Sequence, residues 1–404
     1  MDTIKVIVRA SPLHGAQEMA RLKTRLLSEI GKQADFALQE VEFPSEGGLT
    51  AILVLTGGVE REVLKLVSML PSPTLLIAHS GHNSLPACLE VLARIRQDGG
   101  EGEILFGSAQ AVSSGLRREL RVARAWESLR FSRVGLIGEP SDWLVASDVD
   151  RAFLRGQLGI ELVPIDIDEL AVRIQSAPPS RSDVSRLAKG AKVTGEPTKE
   201  ELKDAVAVYT ALRSLVDENR LAACTVRCFD LVSRLRTTGC YALSRLNDER
   251  IPSGCEGDLQ ALFSMYVGIL LSGELAFMGN IASVDTANRS IMLAHCTCPL
   301  SLAASYAIRS HFESGIGVGI SAEINPGPCT LFRLGGERLD HLFVREGEIE
   351  GTSEREDLCR TQVAIAVSEP IAPLLTSPLG NHHILLPGHH GDTIERFFHR
   401  FLSP

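Results

Sequence analysis

Short apolar runs alternating with amphipathic stretches limit what the first third of this chain can become. Ile4–Arg9 is strand-like, Ala16–Ile30 carries apolar residues at helical spacing, and Ala51–Leu55 is a second apolar run closed by Gly57 and Gly58. Glu60–Leu70 reads as helix, Thr74–Ala78 as strand, Ser84–Gln97 as helix and Glu103–Phe106 as a further short strand. Strands this short and this uniformly apolar are buried on both faces, and the intervening helices supply the covers. The expected unit is a Rossmann-like, doubly wound parallel sheet over residues 1–130.

The alternation restarts at Arg133. Residues 134–138 (VGLIG) form a strand that ends in the loop Glu139-Pro140-Ser141-Asp142, and Ile160–Ile167 forms another. Ser176–Ser182 is read as a loop rich in proline and serine. Thr198 and Glu201 have the spacing of a capping box, and Leu202, Ala205, Tyr209, Leu212 and Val216 then mark one buried helical face. Residues 224–232 return to strand, so a second Rossmann-like domain is expected over 131–275. From 276 the character changes to apolar β-like runs punctuated by glycine: 290–295, 316–321, 329–334, 341–346 and 362–367. These predict a β-rich, barrel-like C-terminal domain over 276–404 that ends in a helix at Asp392–Leu402. The expected class is therefore α/β, with two doubly wound parallel-sheet domains followed by the barrel.

Charge and cysteine usage exclude several functions. The 404 residues carry a net charge of −9 and no Lys/Arg-rich run, which argues against nucleic acid and anionic membranes as partners. No apolar run reaches the roughly 18–20 residues of a spanning helix, and the N-terminus runs directly into a strand without a signal-peptide pattern. A cytoplasmic protein is expected. The nine cysteines are an odd number without zinc-knuckle spacing, so they are read as reduced, buried thiols. Gly315, Gly317 and Gly319 lie in a β-like region at GxGxG spacing, which is not the dinucleotide fingerprint.

Residues 240–299 concentrate the chemistry. Glu256 and Asp258 stand just ahead of an apolar helix; Asn280, Asp285 and His295 follow; and His382-His383 lies near the C-terminus. Oxygen and imidazole donors drawn from distant segments are what a divalent-cation site needs. Each also has a structural reading: Glu256 closing a capping box begun by Ser253, Asp258 favouring a helix N-terminus, His295 bonded at a strand end. Two loops at strand ends add polar groups, His79, His82 and Asn83 in one and Asp142 and Trp143 in the other, at the edge where open α/β sheets bind ligands.

The ordered set VGLIGEPSDWL (134–144), TVRCFDL (225–231), CEGD (255–258), FMGN (277–280), LAHCTCP (293–299) and GNHH (380–383) resembles the L-fucose/L-arabinose isomerase superfamily, most closely its short fucose-isomerase-like branch. The pieces spread over roughly two thirds of the chain in the family's order. The resemblance implies a metal-dependent aldose–ketose isomerase working through an ene-diol; the carboxylate and imidazole donors suit Mn²⁺ (or another divalent cation), and the absence of a phosphate-cradle motif points to an unphosphorylated sugar. The resemblance also implies a closed homo-oligomer, a trimer or hexamer. Carried onto this sequence, it makes Glu256 a metal-binding, proton-transferring carboxylate, His295 a ligand and the His382-His383 pair the C-terminal ligand position; adjacent side chains in a strand point to opposite faces, so one of the two is expected to ligate, His383, with His382 against substrate. Asn280 departs from the family, which has a carboxylate there: an amide oxygen can bind a hard cation but cannot act as a base. Asp258 and Asp285 are the candidate replacements for the second acid/base group. A non-catalytic sugar-binding homologue, or an epimerase or lyase using the same enediolate, is the alternative.

Overall fold

A computed structural model describes residues 2–45 and 47–403. The chain divides into two compact units, Met1–Arg124 and Ala125–Pro404.

The first unit is built on strands β1 (Thr3–Arg9), β2 (Ala37–Val41), β3 (Thr50–Val54), β4 (Thr74–Ile77) and β5 (Gly102–Leu105). They form a five-stranded sheet in the order β2-β1-β3-β4-β5, with every pairing parallel. Alternate side chains go to opposite faces. Ile4, Val6, Ala51 and Leu53 pack with Met19 and Leu22 of the helix Ala16–Lys32. Ile7, Ile52 and Val54 pack with Val63 and Val91, from the helices Glu60–Val67 and Ser84–Gln97. Both faces are thus dry, which is why the strands read as continuous apolar runs. The edge strand β2 (ALQEV) is half polar and gave no such signal.

The second unit opens with β6 (Arg133–Ile137), β7 (Glu161–Ile165), β8 (Val193–Thr194), β9 (Ala223–Val226) and β10 (Ser253–Cys255). Four of these form a parallel sheet in the order β10-β9-β6-β7. Two local expectations change here. Residues 224–232 are not one strand: β9 stops at Val226 and a helix runs from Phe229 to Leu235. The Ser176–Ser182 segment is not all loop, because Ser180 accepts the Asp183 N–H and caps a helix over Arg181–Gly190. The capping box of Thr198 and Glu201 is present in full.

The remaining strands are β11 (Phe277–Asp285), β12 (Ser290–His295), β13 (Ser305–Arg309), β14 (Gly319–Glu323), β15 (Gly327–Gly335), β16 (His341–Thr352), β17 (Thr361–Val367) and β18 (His382–Pro387). Six close into an antiparallel barrel in the order β11-β12-β17-β16-β15-β18, sealed by pairing of β18 with β11. Phe277, Ile291, Leu293, Leu331, Phe343, Val363, Ile365 and Leu385 pack into one cluster that fills it. The run at 316–321 is not a barrel strand. It feeds β14, which joins β13 and β8 in a separate three-stranded sheet. The expected C-terminal helix is present as Gly391–Phe401.

The helix Leu259–Ser272 ties the parallel sheet to the barrel. Almost every side chain on it is buried, as expected for a helix apolar all round. Gly268 allows the close approach: a Cβ there would lie 2.8 Å from the Phe332 ring of β15. The helix starts at Asp258, whose side chain accepts the Ala261 N–H at 2.7 Å. Asp258, not the Ser253–Glu256 pair, is therefore the cap, and Ser253 belongs to β10.

Candidate metal centre

β10 ends at Cys255, and the backbone then turns left-handed at Glu256 (φ 63°) and Gly257 (φ 74°). Glycine is required at 257, because a Cβ would lie 2.7 Å from the Pro140 Cα and 2.9 Å from the Glu139 carbonyl. The loop after β6 grips this turn from the other side. The Ser141 N–H donates to the Glu256 carbonyl at 2.8 Å, and the Trp143 indole N–H donates to Glu256 Oε2 at 2.6 Å. A non-glycine residue at positive φ is strained, and such strain concentrates at functional sites.

The Glu256 carboxylate faces two histidines. Glu256, His295 and His382 each present a donor atom, all within 4.8 Å of one another, and all three residues are buried. Among the described residues this is the one such group of three. His382 starts β18, and its Nδ1 lies 2.9 Å from Asp258 Oδ2. That bond places the proton on Nδ1 and leaves Nε2 pointing towards Glu256 Oε1 at 3.6 Å, buried and without a hydrogen-bond partner. His295 ends β12; its Nδ1 meets the Thr297 hydroxyl at 2.9 Å, and its ring is 5.4 Å from that of His382. A carboxylate holding one imidazole nitrogen so that the other is free is the arrangement that orients a metal-binding histidine. The orphaned Nε2 and the mixed carboxylate–imidazole donors fit a divalent cation.

The electrostatics come from Arg333, which projects from β15 with no exposed surface. Its guanidinium donates to the His382 carbonyl at 2.6 Å, to Ser147 Oγ at 2.9 Å, to Gln260 Oε1 at 3.0 Å and to Asp258 Oδ2 at 3.3 Å. Burial alone would raise the Asp258 pKa, but Arg333 and His382 reverse the effect and bring it down to about 2. Burial disfavours the charged His382 ring, yet the Asp258 and Glu256 carboxylates raise its pKa to about 9. Glu256 is lowered despite burial, chiefly by His382. His295 goes the other way, to about 4, because burial and the neighbouring His382 disfavour its charge. Without a cation, the group is a charged His382 between two carboxylates beside a neutral His295.

The remaining expected site residues are distributed as follows. His383 points away from His382, into the barrel against Phe343 at 5.3 Å, and neither ring nitrogen has a partner. Burial, with Arg333 adding to it, lowers its pKa to about 3. Asn280 lies opposite His382 in the β11–β18 ladder, and its amide oxygen accepts from Asn381 at 3.0 Å. Asp285 is at the exposed end of β11, where it accepts from the Ala287 and Asn288 N–H groups at 3.0 Å. Asp142 is exposed and pairs with Arg227 at 3.1 Å, while Trp143 is half exposed beside Phe229.

His79, His82 and Asn83 belong to the first unit, in the loop after β4. His79 Nε2 meets the Leu55 carbonyl at 2.9 Å and its Nδ1 accepts from Gly81, which fixes the tautomer. His82 and Asn83 both adopt positive φ, and the Asn83 side chain makes no cap. Arg333 is the residue beside the candidate site that the sequence did not single out. The available signal was a lone arginine inside the apolar run CTLFRL, since an unpaired charge cannot be buried in a strand. A cavity of about 550 Å³ opens beside Gly138, Asp166 and Arg227, at the ends of β6, β7 and β9.

No protein-family model matches the chain. Among curated proteins it is similar to the sulfoquinovose isomerase of Alkalicoccus urumqiensis, 25% identical over 279 residues, which is 66% of this chain and 62% of the relative. The sulfoquinovose isomerase of Clostridium sp. (strain MSTE9) is 29% identical over 249 residues, covering 57% of this chain and 54% of the relative. That of Priestia aryabhattai is 23% identical over 246 residues, with the same shares. The chain thus spans about 60% of the length of the first of these relatives and little more than half of the others. No helix among the described residues is long and apolar enough to cross a membrane.

Proposed function

We propose that the protein is a divalent-cation-dependent aldose–ketose isomerase acting on an unphosphorylated sugar, with Glu256, His295 and His382 as protein ligands and Glu256 as the proton-transferring base. One observation carries this reading: the buried His382 Nε2, without a hydrogen-bond partner, 3.6 Å from the Glu256 carboxylate and beside a neutral imidazole. The similarity to sulfoquinovose isomerases supports it, and sulfoquinovose is the first substrate to test.

A bound cation, with Mn²⁺ the first to test, would supply charge to polarise the sugar carbonyl and acidify the adjacent C–H. The chain's own residues do the rest. Glu256 is ionised, as a base must be, and Trp143 fixes one of its oxygens. The carboxylate takes the proton from C2 of an open-chain aldose and returns it at C1, while a hydroxyl proton passes from O2 to O1. Nothing is gained or lost overall, so no redox cofactor is required. Asp258, with no exposed surface and bonded to Arg333, His382 and Ala261, positions His382 and moves no proton. The half-exposed face of Trp143 suits the C–H side of a sugar ring.

The test is proton exchange in D₂O with Mn²⁺ and a panel of aldoses and ketoses that includes sulfoquinovose, followed by NMR. EDTA-sensitive deuterium incorporation with aldose–ketose conversion is the expected result, and Glu256→Gln should abolish both. Exchange without conversion would replace the isomerase by an epimerase or lyase. Full turnover by the Glu256→Gln variant would remove Glu256 as the base.

A further inference from the structure

The second unit gathers thiols around this site that the proposed reaction does not use. Cys255 ends β10 and directly precedes Glu256; Cys228 lies two residues beyond β9. β9 and β10 are neighbouring parallel strands with Cys255 opposite Val226, so both cysteines emerge at the same edge of the sheet. Both are buried and unbridged, and their Sγ atoms are 2.8 Å apart. The thiols continue from there. Cys296 follows His295 directly, and Cys359 is partly exposed whereas the other eight cysteines are buried and all nine are unbridged. Among the described residues no three sulfurs come close enough to share a metal ion. Apart from packing as small apolar groups, covalent chemistry between two neighbouring sulfurs is a use this arrangement permits.

We propose that Cys228 and Cys255 are an oxidation site that closes to a reversible disulfide and, in closing, disturbs Glu256. Hydrogen peroxide is the oxidant class. One sulfur takes an oxygen from the peroxide: an S–O bond forms, the O–O bond breaks and water leaves. The partner sulfur then displaces that oxygen: an S–S bond forms, the S–O bond breaks and a second water leaves. Two thiols and one peroxide give one disulfide and two waters, with sulfur oxidised and peroxide oxygen reduced. A dithiol reverses the step by exchange.

The required motion is small. A disulfide has its sulfurs about 2.0 Å apart, so the pair closes by less than ~1 Å from its present separation. Its effect falls on a constrained neighbour. Glu256 has positive φ, its carbonyl is held by Ser141 and its carboxylate by Trp143, so a shift at Cys255 reaches the carboxylate directly.

The experiment treats the reduced full-length protein with a few equivalents of hydrogen peroxide, alkylates remaining thiols, digests without reductant and maps linked peptides by mass spectrometry. Tryptophan fluorescence is recorded on the same samples, because Trp143 is one of only two tryptophans. The expected outcome is a Cys228–Cys255 linked peptide, an emission change reversed by dithiothreitol, and at least a tenfold loss of Mn²⁺ affinity in the oxidised protein. Cys228→Ser should remove the peptide and the emission change together. A different pairing, oxidation confined to Cys359, or linkage without an emission change would overturn the proposal. The peptide map needs neither turnover nor the variant. It therefore stands if the isomerase reading fails, and the isomerase reading stands if the map is negative.

Discussion

His382 and His383 are adjacent on β18 and equally buried, yet they occupy opposite electrostatic worlds. His382 faces Asp258 and Glu256, which raise its pKa to about 9, whereas His383 faces the barrel interior and Phe343 and is lowered to about 3. The strand's alternation puts them on opposite faces, and what each face offers determines the rest. Buried Arg333 is what allows one face to hold two carboxylates and an imidazolium. Burial alone does not distinguish the two rings; the carboxylates facing His382 do.

The largest effect should come from breaking the charged face. Asp258→Asn leaves Arg333 buried without its carboxylate, and loss of one member of such a pair costs about 3–5 kcal/mol. Thermal or urea unfolding of the second unit measures this; a loss below 1 kcal/mol would show that Arg333 is held by its neutral partners alone. The opposite sign is expected on the other face. His383→Leu removes a buried polar ring without partners and should be neutral or stabilising by about 1 kcal/mol.

The pH dependence of the cation-free protein sharpens the contrast. Asp258, lowered to about 2, stabilises fully above its unfolded value near 4 and loses that contribution as pH falls towards 2. His382, raised to about 9, stabilises fully below its unfolded value near 6.5 and loses that contribution as pH rises through 9. The melting temperature should therefore be highest between about pH 4 and 6.5 as far as these two groups set it, and His382→Asn should flatten the alkaline limb. The smallest effect should come from Asp285→Ala, which loses only the exposed turn bonds to Ala287 and Asn288. About 0.5–1 kcal/mol is expected, with cation binding unchanged in a titration.

The same contrast explains what the sequence could disclose. Dry strands such as AILVL, TLLIA and QVAIAV were readable because both their faces are apolar, and Glu256 and His295 stood out by residue type and order. The choice between His382 and His383 was not readable. The motif favoured His383 as ligand, whereas the structure sets His382 beside Glu256 and His295; the side on which each ring falls depends on pairing with β11, about a hundred positions earlier in the chain. Arg333 was hidden because its partners Ser147, Asp258 with Gln260, and His382 come from three distant segments. The cap at Asp258 displaced the expected box at Ser253 because β10 had already claimed that residue for the sheet.

Mn²⁺ binding by the wild type, His382→Asn and His383→Leu, followed by electron paramagnetic resonance titration with folding checked by circular dichroism, tests the central claim most directly. One ion per chain in the wild type and in His383→Leu, with binding lost in His382→Asn, is the predicted result. Undiminished binding in His382→Asn, or its loss in His383→Leu, would contradict the assignment of the cation to Glu256, His295 and His382.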